Sequence, residues 1–171
     1  MAPLATFPLV TRERSFVPLY VVDVDGDAGH DLAMLVHPNG LIVLCLAPSH
    51  WAVAVQHEGG VTVALNDSLL AAEVSGKRKR GAVTLHTDTV LATISVPGAR
   101  TSHVRACVRA KLLEANARLG TPHAAQLLRE AHADAGFIAV LMPFDAGCIQ
   151  DLCERALTEE QYEARQRTQN R

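Results

Sequence analysis

Short apolar runs bounded by Gly, Pro, Asn and Asp fill the chain up to residue 143, a pattern typical of β-strands. The predicted strands span residues 19–24, 31–37, 41–47, 61–65, 89–96 and 136–143. The run at 41–47, LIVLCLA, is apolar at every position, which indicates a strand buried on both faces. Asn39-Gly40 favours a tight hairpin between the second and third strands, and Pro97-Gly98 ends the fifth.

Helical composition is concentrated toward the C-terminus. Residues 122–135 and 151–167 predict helices, and Thr158 is a candidate N-cap followed by Glu159 and Glu160. The segment 106–116 fits a helix and a strand equally well by pattern alone. The chain is therefore predicted to be mainly β with helices, an α+β fold. Its parts are a loose lead-in at 1–18, a single domain at 19–167 and a tail at 168–171.

Composition narrows the class of protein. The 171 residues are 49% hydrophobic, which is ample for one core. No apolar run reaches the length of about eighteen residues that a membrane span needs, so no membrane association is expected. The N-terminus lacks the basic start and apolar stretch of a secretory signal. The four irregularly spaced cysteines are expected to be free thiols in a reducing compartment.

The sequence contains none of the familiar motifs for catalysis or metal binding. Its eight histidines do not fall at the spacings of zinc sites, and Cys148 and Cys153 lack a matching second pair. DVDGD at 23–27 begins like a calcium-binding loop but lacks the distal glutamate, so an acidic turn is predicted instead. We therefore predict a non-enzymatic protein with no catalytic residues, no metal and no cofactor.

Positive charge is concentrated in one segment. Residues 77–111 hold eight Lys or Arg against one acid, a formal charge of about +7, against about −9 for the remainder. The segment starts with a basic run, Lys77-Arg78-Lys79-Arg80, bracketed by Gly76 and Gly81. Adjacent like charges repel, so the basic run is predicted to be exposed. The side chains of Arg105, Arg109 and Lys111 would extend it into a positive face.

Several uses of the basic run remain open: a nuclear-import signal, a docking surface for an acidic protein, or a solvated turn. Nucleic acid is an unlikely partner on this pattern. The pI is near 6.4, and no aromatic residues interleave with the run to stack on bases.

The C-terminal half resembles the glycine cleavage system H-protein, a lipoyl-bearing carrier. The segments that carry the resemblance are CVRAKLLEAN (107–116), GFIAVLMP (136–143) and LTEEQYEA (157–164). They occupy the places of that family's Glu-x-Asn strand, glycine-led aliphatic strand and closing helix. The resemblance implies a lipoyl-like barrel-sandwich hybrid with a C-terminal helix, and it makes 106–116 largely β.

The H-protein resemblance stops at the lipoyl lysine. That lysine would fall near residues 98–100, where the chain reads Gly-Ala-Arg, and the three lysines of the chain are Lys77, Lys79 and Lys111. Arginine stays protonated and cannot form the lipoyl amide. This hairpin is therefore predicted to carry no lipoyl group.

A closer resemblance is to the Abitram family, also called Simiate, of actin-binding transcription modulators. Its pattern is matched in order over most of residues 31–163 by HPN (37–39), LAPSH (46–50), VSGKRKRGA (74–82), CVRAKLLEAN (107–116), GFIAVLMP (136–143) and LTEEQYE (157–163). The matched positions outside the basic run are His37, Asn39, Ser49, His50, Ser75, Gly76, Gly81, Cys107, Glu114, Asn116, Gly136, Gln161 and Tyr162.

The Abitram resemblance implies a non-enzymatic protein that binds actin and occurs in the nucleus and the cytoplasm. The basic run, as a candidate import signal, adds a nuclear-import receptor as a further expected partner. The alternative is an H-protein-like carrier domain that is modified at an atypical lysine, Lys77 or Lys79.

Overall fold

Antiparallel β-strands dominate the architecture. The computed structural model describes residues 16–54, 60–69, 83–129 and 135–170. Its strands are β1 (Val17–Val21), β2 (Leu32–Val36), β3 (Ile42–Leu46), β4 (Thr62–Leu65), β5 (Thr84–Leu85), β6 (Val90–Val96), β7 (Arg100–Arg105), β8 (Ala110–Ala115), β9 (Ala139–Pro143) and β10 (Leu157–Thr158). Its helices include α1 (Trp51–Ala54), α2 (Ala124–Arg129), α3 (Ala146–Arg155) and α4 (Glu159–Gln169).

The strands form two sheets. The larger sheet has the order β10-β1-β2-β3-β9-β8-β5, and the smaller has the order β4-β6-β7. Among the described residues neither sheet closes into a barrel, because the outermost strands of each sheet do not pair with one another. The predicted fold class, mainly β with helices, is confirmed. No helix in the described ranges is long and apolar enough to cross a membrane.

The two hairpins predicted from turn residues are both present. Asn39-Gly40 joins β2 to β3, which pair from Val36↔Ile42 to Leu32↔Leu46. Gly40 has φ 88°, which explains why glycine stands there. Pro97-Gly98 joins β6 to β7 in the same antiparallel way, with Gly98 at φ 72°.

Strand β3 is buried on both faces, as its apolar sequence predicts. Ile42, Leu44 and Leu46 pack into the main core, which also contains residues of the smaller sheet. Val43 and Cys45 face the opposite way, into a second cluster with Tyr20 of β1 and Tyr162 of α4. The C-terminal helix therefore covers the second face of the larger sheet.

The structure corrects the prediction of one helix over residues 151–167. The chain instead leaves α3 at Ala156, which is extended, and Leu157 and Thr158 pair with Tyr20 and Leu19 of β1. A new helix, α4, then begins with Thr158 as its N-cap, which confirms the predicted cap. Pairing of Leu157 and Thr158 with the backbone of β1 explains why the helix is interrupted here although the composition is helical.

Strand β7 was not predicted. Residues Arg100–Arg105 read RTSHVR, in which only Ser102 and Val104 are buried. Such a polar pattern is typical of an edge strand with one solvent-facing side. The ambiguous segment 106–116 contains β8, in agreement with the H-protein resemblance. Within the predicted helix at 122–135, Ala124–Arg129 form α2.

Two described elements cross the boundaries that were assigned to the domain. Strand β1 begins at Val17, inside the segment 1–18 assigned to the lead-in. Helix α4 ends at Gln169, inside the segment assigned to the tail. All four cysteines lie in the described ranges, and none of them forms a disulfide bond.

Candidate functional site

The segment between β1 and β2, residues 23–31, forms an acidic loop that folds tightly onto itself. Asp23 and Asp25 adopt left-handed backbone conformations, with φ values of 47° and 58°, next to glycines with positive φ. Asp and Gly reach this region at low cost, which explains why the predicted Asp/Gly turn forms here. Asp23 Oδ1 accepts the Gly29 N–H at 3.0 Å, and Asp31 Oδ1 accepts the Asp23 N–H at 2.9 Å.

Three arginines from distant parts of the sequence hold the acidic loop in place. The ion pairs are Arg100–Asp27, Arg105–Asp25 and Arg165–Asp23. In the second of these, the arginine Nε lies 2.7 Å from both carboxylate oxygens. Two of the arginines belong to β7 and the third to α4. The loop therefore ties the smaller sheet to the C-terminal helix.

The pKa values of two loop carboxyls reflect these contacts. Partial burial alone would raise the pKa of Asp23, but the Gly29 amide and the Arg165 guanidinium outweigh it and lower the pKa. Burial is likewise outweighed at Asp27, whose pKa is lowered by hydrogen bonds from Ser102 and Arg100. Both carboxylates therefore stabilise the native state above their unfolded pKa of about 3.9, and this stabilisation fades as the pH falls.

Two fully buried histidines form a directed chain of hydrogen bonds beneath the loop. His50 Nδ1 accepts the Ala52 N–H at 3.0 Å, so the proton of a neutral His50 lies on Nε2. That Nε2–H donates to His30 Nδ1 at 2.7 Å, which leaves the His30 proton on Nε2. His30 Nε2–H in turn donates to the His103 carbonyl of β7 at 2.9 Å. Each ring nitrogen therefore has one partner and one role.

Burial lowers the pKa of both histidines. Desolvation is the main cause for each, and it lowers the pKa of His50 to about 3, with the His30 and Arg100 charges adding to the effect. The pKa of His30 is also lowered, although the His103 carbonyl and Asp27 oppose the shift. A second proton on either ring would meet an N–H donor, so protonation breaks the chain.

A second polar cluster fastens α4 to the same loop. The Ser49 hydroxyl donates to Asp31 Oδ2 at 3.0 Å. Because its only proton is used there, the Tyr162 hydroxyl donates to Ser49 Oγ, and it accepts the Ser49 N–H at 3.3 Å. The Tyr162 ring stacks on Tyr20 with centroids 3.9 Å apart. Burial raises the pKa of the Tyr162 phenol.

The acidic loop also covers one edge of the smaller sheet. Strand β7 lies at that edge, where backbone groups would otherwise be open to another strand. His30 Nε2–H donates to the His103 carbonyl of β7, and Trp51 Nε1–H donates to Ser102 Oγ at 3.0 Å. The Arg100 guanidinium lies 5.0 Å from the centre of the Trp51 ring, within range of a cation–π contact.

The acidic loop and its partners form an internal network of hydrogen bonds and ion pairs. Its buried polar groups use their donors and acceptors mainly on one another, as a structural network requires. The exception within the described ranges is Arg165 Nε, which is buried without a hydrogen-bond partner. Within the described ranges, no three His, Cys, Asp or Glu side chains are placed so that they could hold a metal ion together. Contacts with arginine and serine side chains hold the acidic loop.

The residues that were predicted to extend the basic run into one positive face belong to two different sheets. Arg105 ends β7 in the smaller sheet and pairs with Asp25. Arg109 and Lys111 lie at the start of β8 in the larger sheet. Between them the chain turns at Cys107, which has φ 58° and whose carbonyl accepts a bond from Arg155 at 2.9 Å. Lys77–Arg80, with Ser75, Gly76 and Gly81, lie outside the described residues.

Several family-motif residues have structural roles. Asn39 Oδ1 accepts the Leu41 N–H at 3.1 Å and His37 Nδ1 accepts the Asn39 N–H at 3.2 Å, which shapes the β2–β3 turn. Asn116 is buried and donates to the carbonyls of Ala135 and Phe137, each at 2.8 Å.

The remaining motif residues differ in exposure. Gln161 completes the capping box of α4 with Thr158. Gly136 is buried beside β9, whereas Glu114 is exposed on β8. Cys107 is buried, and desolvation raises the pKa of its thiol to about 11, so it remains a protonated thiol at neutral pH.

The sequence did not reveal the members of the loop network other than Ser49, His50, Arg105 and Tyr162. The Asp/Gly composition of 23–27 marked a turn, but its arginine partners lie more than seventy positions away in the sequence. A pairing over that distance leaves no local periodicity. Only the tertiary fold brings β7, α4 and the loop together.

Comparison with known proteins identifies relatives over most of the chain. The chain is 33% identical over 171 residues to Protein Abitram of Homo sapiens, which covers 94% of this chain and 90% of that protein. It is 32% identical over 135 residues to Protein Abitram of Dictyostelium discoideum, covering 77% and 74%. The Danio rerio Protein Abitram is 33% identical over 159 residues. No protein-family model matches the chain. The extent and level of identity to these relatives show that the chain belongs to the Abitram family.

Proposed function

We propose that this chain is a non-enzymatic regulatory protein that binds actin and acts in the nucleus and the cytoplasm. The observation that carries the proposal is membership of the Abitram family, with 33% identity over 94% of the chain. The resemblance to the family also called Simiate implies actin as the partner. The internal hydrogen bonding of the acidic-loop network supports a structural rather than a catalytic use of its polar residues.

The scaffold in this proposal is a lipoyl-like, H-protein-like domain that has lost its carrier role. The β6–β7 hairpin stands where the resemblance would place the lipoyl lysine. Its Arg100 is tied to Asp27 and to the Ala28 carbonyl and lies over Trp51, so it does not form a free swinging arm. Intact-mass measurement of the native protein tests this: an adduct on Lys77 or Lys79 would favour the alternative of an atypical carrier.

The basic run is the proposed contact for the acidic surface of actin or for an import receptor. It precedes β5 in the sequence, and β5 pairs with β8 at Thr84 and Lys111. Attraction between exposed charges weakens with salt, because the Debye length falls from about 10 Å at 0.1 M to about 3 Å at 1 M.

Actin co-sedimentation tests the proposed function. Replacing Lys77, Arg78, Lys79 and Arg80 by glutamine should leave the thermal midpoint nearly unchanged and reduce either actin binding or nuclear accumulation. Arg118→Gln combined with Arg129→Gln is the charge control, since both side chains are exposed. Failure of the wild-type chain to bind actin would refute the proposed partner. A folded quadruple variant that binds and localises as the wild type does would show that the basic run is only a solvated turn.

A further inference from the structure

Large apolar side chains and cations share one exposed surface at the start of β8 and the end of β9. This β8–β9 face consists of Arg109, Lys111, Leu113, Met142 and Phe144. Leu113, Met142 and Phe144 are 43%, 37% and 41% exposed, and they are three of the four most exposed large hydrophobic residues in the described ranges. Their grouping on adjacent strands is what distinguishes a patch from scattered exposure.

Strand register places these side chains on the same side of the sheet. Lys111 lies directly opposite Met142, whereas the neighbouring pair, Leu112 and Leu141, is buried in the core. Since side chains alternate along a strand, Arg109 and Phe144 lie on the same outer side as Lys111 and Met142. The Arg109 guanidinium lies 5.9 Å from the centre of the Phe144 ring, which confirms this placement. Leu113 sits at the bulge in the β8–β9 register.

The cations of this face differ from the arginines of the acidic loop. Arg100, Arg105 and Arg165 are each in an ion pair. Neither Arg109 nor Lys111 makes an ion pair with any residue in the described ranges. Two carboxylates lie near the face. Asp145 acts on Arg109 electrostatically but accepts the Cys148 N–H as the N-cap of α3. Glu114 follows Leu113 on β8 and is exposed.

From this juxtaposition we propose that the β8–β9 face docks an acidic, amphipathic segment of a partner protein. Carboxylates of that segment would pair with Arg109 and Lys111, and its apolar side chains would cover Met142, Phe144 and Leu113. The inference rests on the proposed function, because it supplies the surface and the partner chemistry for an interaction protein. Mixed apolar and cationic surfaces of this kind combine burial with charge complementarity, and arginine is enriched at such interfaces.

Two binding probes test the docking face with the full-length chain. The first is purified monomeric actin, and the second is a fluorescein-labelled peptide built of glutamate and leucine. Arg109→Glu combined with Lys111→Glu should weaken binding of the peptide by about tenfold or more, equivalent to about 1.4 kcal/mol. Met142→Gln combined with Phe144→Gln should do the same at unchanged charge. Arg118→Glu combined with Arg129→Glu should change binding by less than about twofold.

The outcomes separate this inference from the proposed function. The docking face is overturned if the peptide does not bind, or if it binds equally to all three double variants. This holds whether or not actin binds. Binding lost only on charge reversal, and shared by a DNA oligonucleotide, also overturns it, because it shows plain attraction of polyanions. Sensitivity of the peptide to both double variants supports the docking face even if actin does not bind, in which case only the choice of actin fails. If either variant lowers the thermal midpoint, Arg109→Gln with Lys111→Gln and Phe144→Ser replace them.

Discussion

At the scale of single residues, the orientation of His30 and His50 shows how a buried polar group can be fixed by one backbone amide. The Ala52 N–H decides the tautomer of His50, and His50 then decides that of His30. The chain ends on the His103 carbonyl of β7. A single choice of proton position thus links α1, the acidic loop and the edge of the smaller sheet.

The histidine chain predicts loss of stability in mild acid. In the unfolded chain histidine binds a proton near pH 6.5, whereas folded His50 does so only at about pH 3. Between these values the unfolded state binds more protons, so acidification favours unfolding. The free energy of unfolding should fall from pH 6.5 downward, with a limiting slope of about 1.4 kcal/mol per pH unit for each histidine involved. Urea denaturation at successive pH values measures it.

A substitution isolates the contribution of His50 to this acid sensitivity. His50→Gln should lower stability at pH 7 by about 1–3 kcal/mol, because an amide on a flexible side chain does not reproduce the geometry in which the His50 ring accepts from Ala52 and donates to His30. It should also make the pH slope between 6.5 and 5 shallower, since Asp23 and Asp27 lose their stabilising charge only at lower pH. His123→Gln, at an exposed position, is the control. An unchanged slope in His50→Gln would rule out the histidine chain as the cause.

At the scale of elements, the boundaries of α4 and of the β2–β3 hairpin depend on local chemistry. Helix α4 is polar, and Tyr162 is its buried residue. It is held by the capping box at its start and by the contacts of Tyr162 and Arg165 with Ser49 and Asp23. The hairpin instead depends on the positive φ of Gly40, a backbone conformation that residues other than glycine rarely adopt.

Removal of the α4 cap should loosen the C-terminal helix. Thr158 Oγ1 accepts the Gln161 N–H, and Gln161 Oε1 accepts the Thr158 N–H at 3.0 Å. Thr158→Ala should destabilise the helix by about 1 kcal/mol and speed amide exchange over Glu159–Gln169. Thr158→Ser keeps the hydroxyl and should behave as the wild type. Equal exchange rates in all three proteins would contradict a role for the capping box.

Substitution of Gly40 should cost stability through the backbone alone. A methyl group at Gly40 would meet Ile149 Cδ1 only at 3.9 Å, which is an ordinary contact, but the φ of 88° is strained for alanine. Gly40→Ala should therefore lower the free energy of unfolding by about 1–2 kcal/mol. Gly120→Ala is the matched control, because its added methyl meets open space and its φ is not positive. Similar losses at both positions would show that φ is not the cause.

At the scale of the whole molecule, the two sheets share one core. The main cluster contains Met34 and Leu44 of the larger sheet and Ile94 and Val104 of the smaller one. Trp51, the one tryptophan of the chain, is buried in that cluster, and its Nε1–H donates a hydrogen bond to Ser102 of β7. Its environment therefore reports on the contact between the sheets.

Shared packing predicts that the two sheets unfold together. The red shift of Trp51 emission and the loss of far-UV circular dichroism should have the same urea midpoint, as expected of a two-state domain. Ser102→Ala should lower both midpoints together, because it removes hydrogen bonds to Trp51 and Asp27. Midpoints that differ between the two signals would show that the sheets unfold separately.

Much of the chain's local structure could be predicted from sequence. The strands at 41–47 and 136–143, the turn at Asn39-Gly40 and the cap at Thr158 all follow from side-chain polarity or from the backbone preference of one or two residues. Such signals act over a few residues, so they can be read from the sequence without knowledge of the tertiary structure. Family membership was also readable, since it depends on the order of short segments.

The tertiary structure alone decided which cations of the described residues form ion pairs. Arg105, Arg109 and Lys111 lie close in sequence, yet the turn at Cys107 sends them to different sheets, and Asp25 pairs with only the first. The break between α3 and α4 likewise depends on β1, more than a hundred residues away. Ion pairing and strand pairing act through space between distant segments, and no local pattern in the sequence records them.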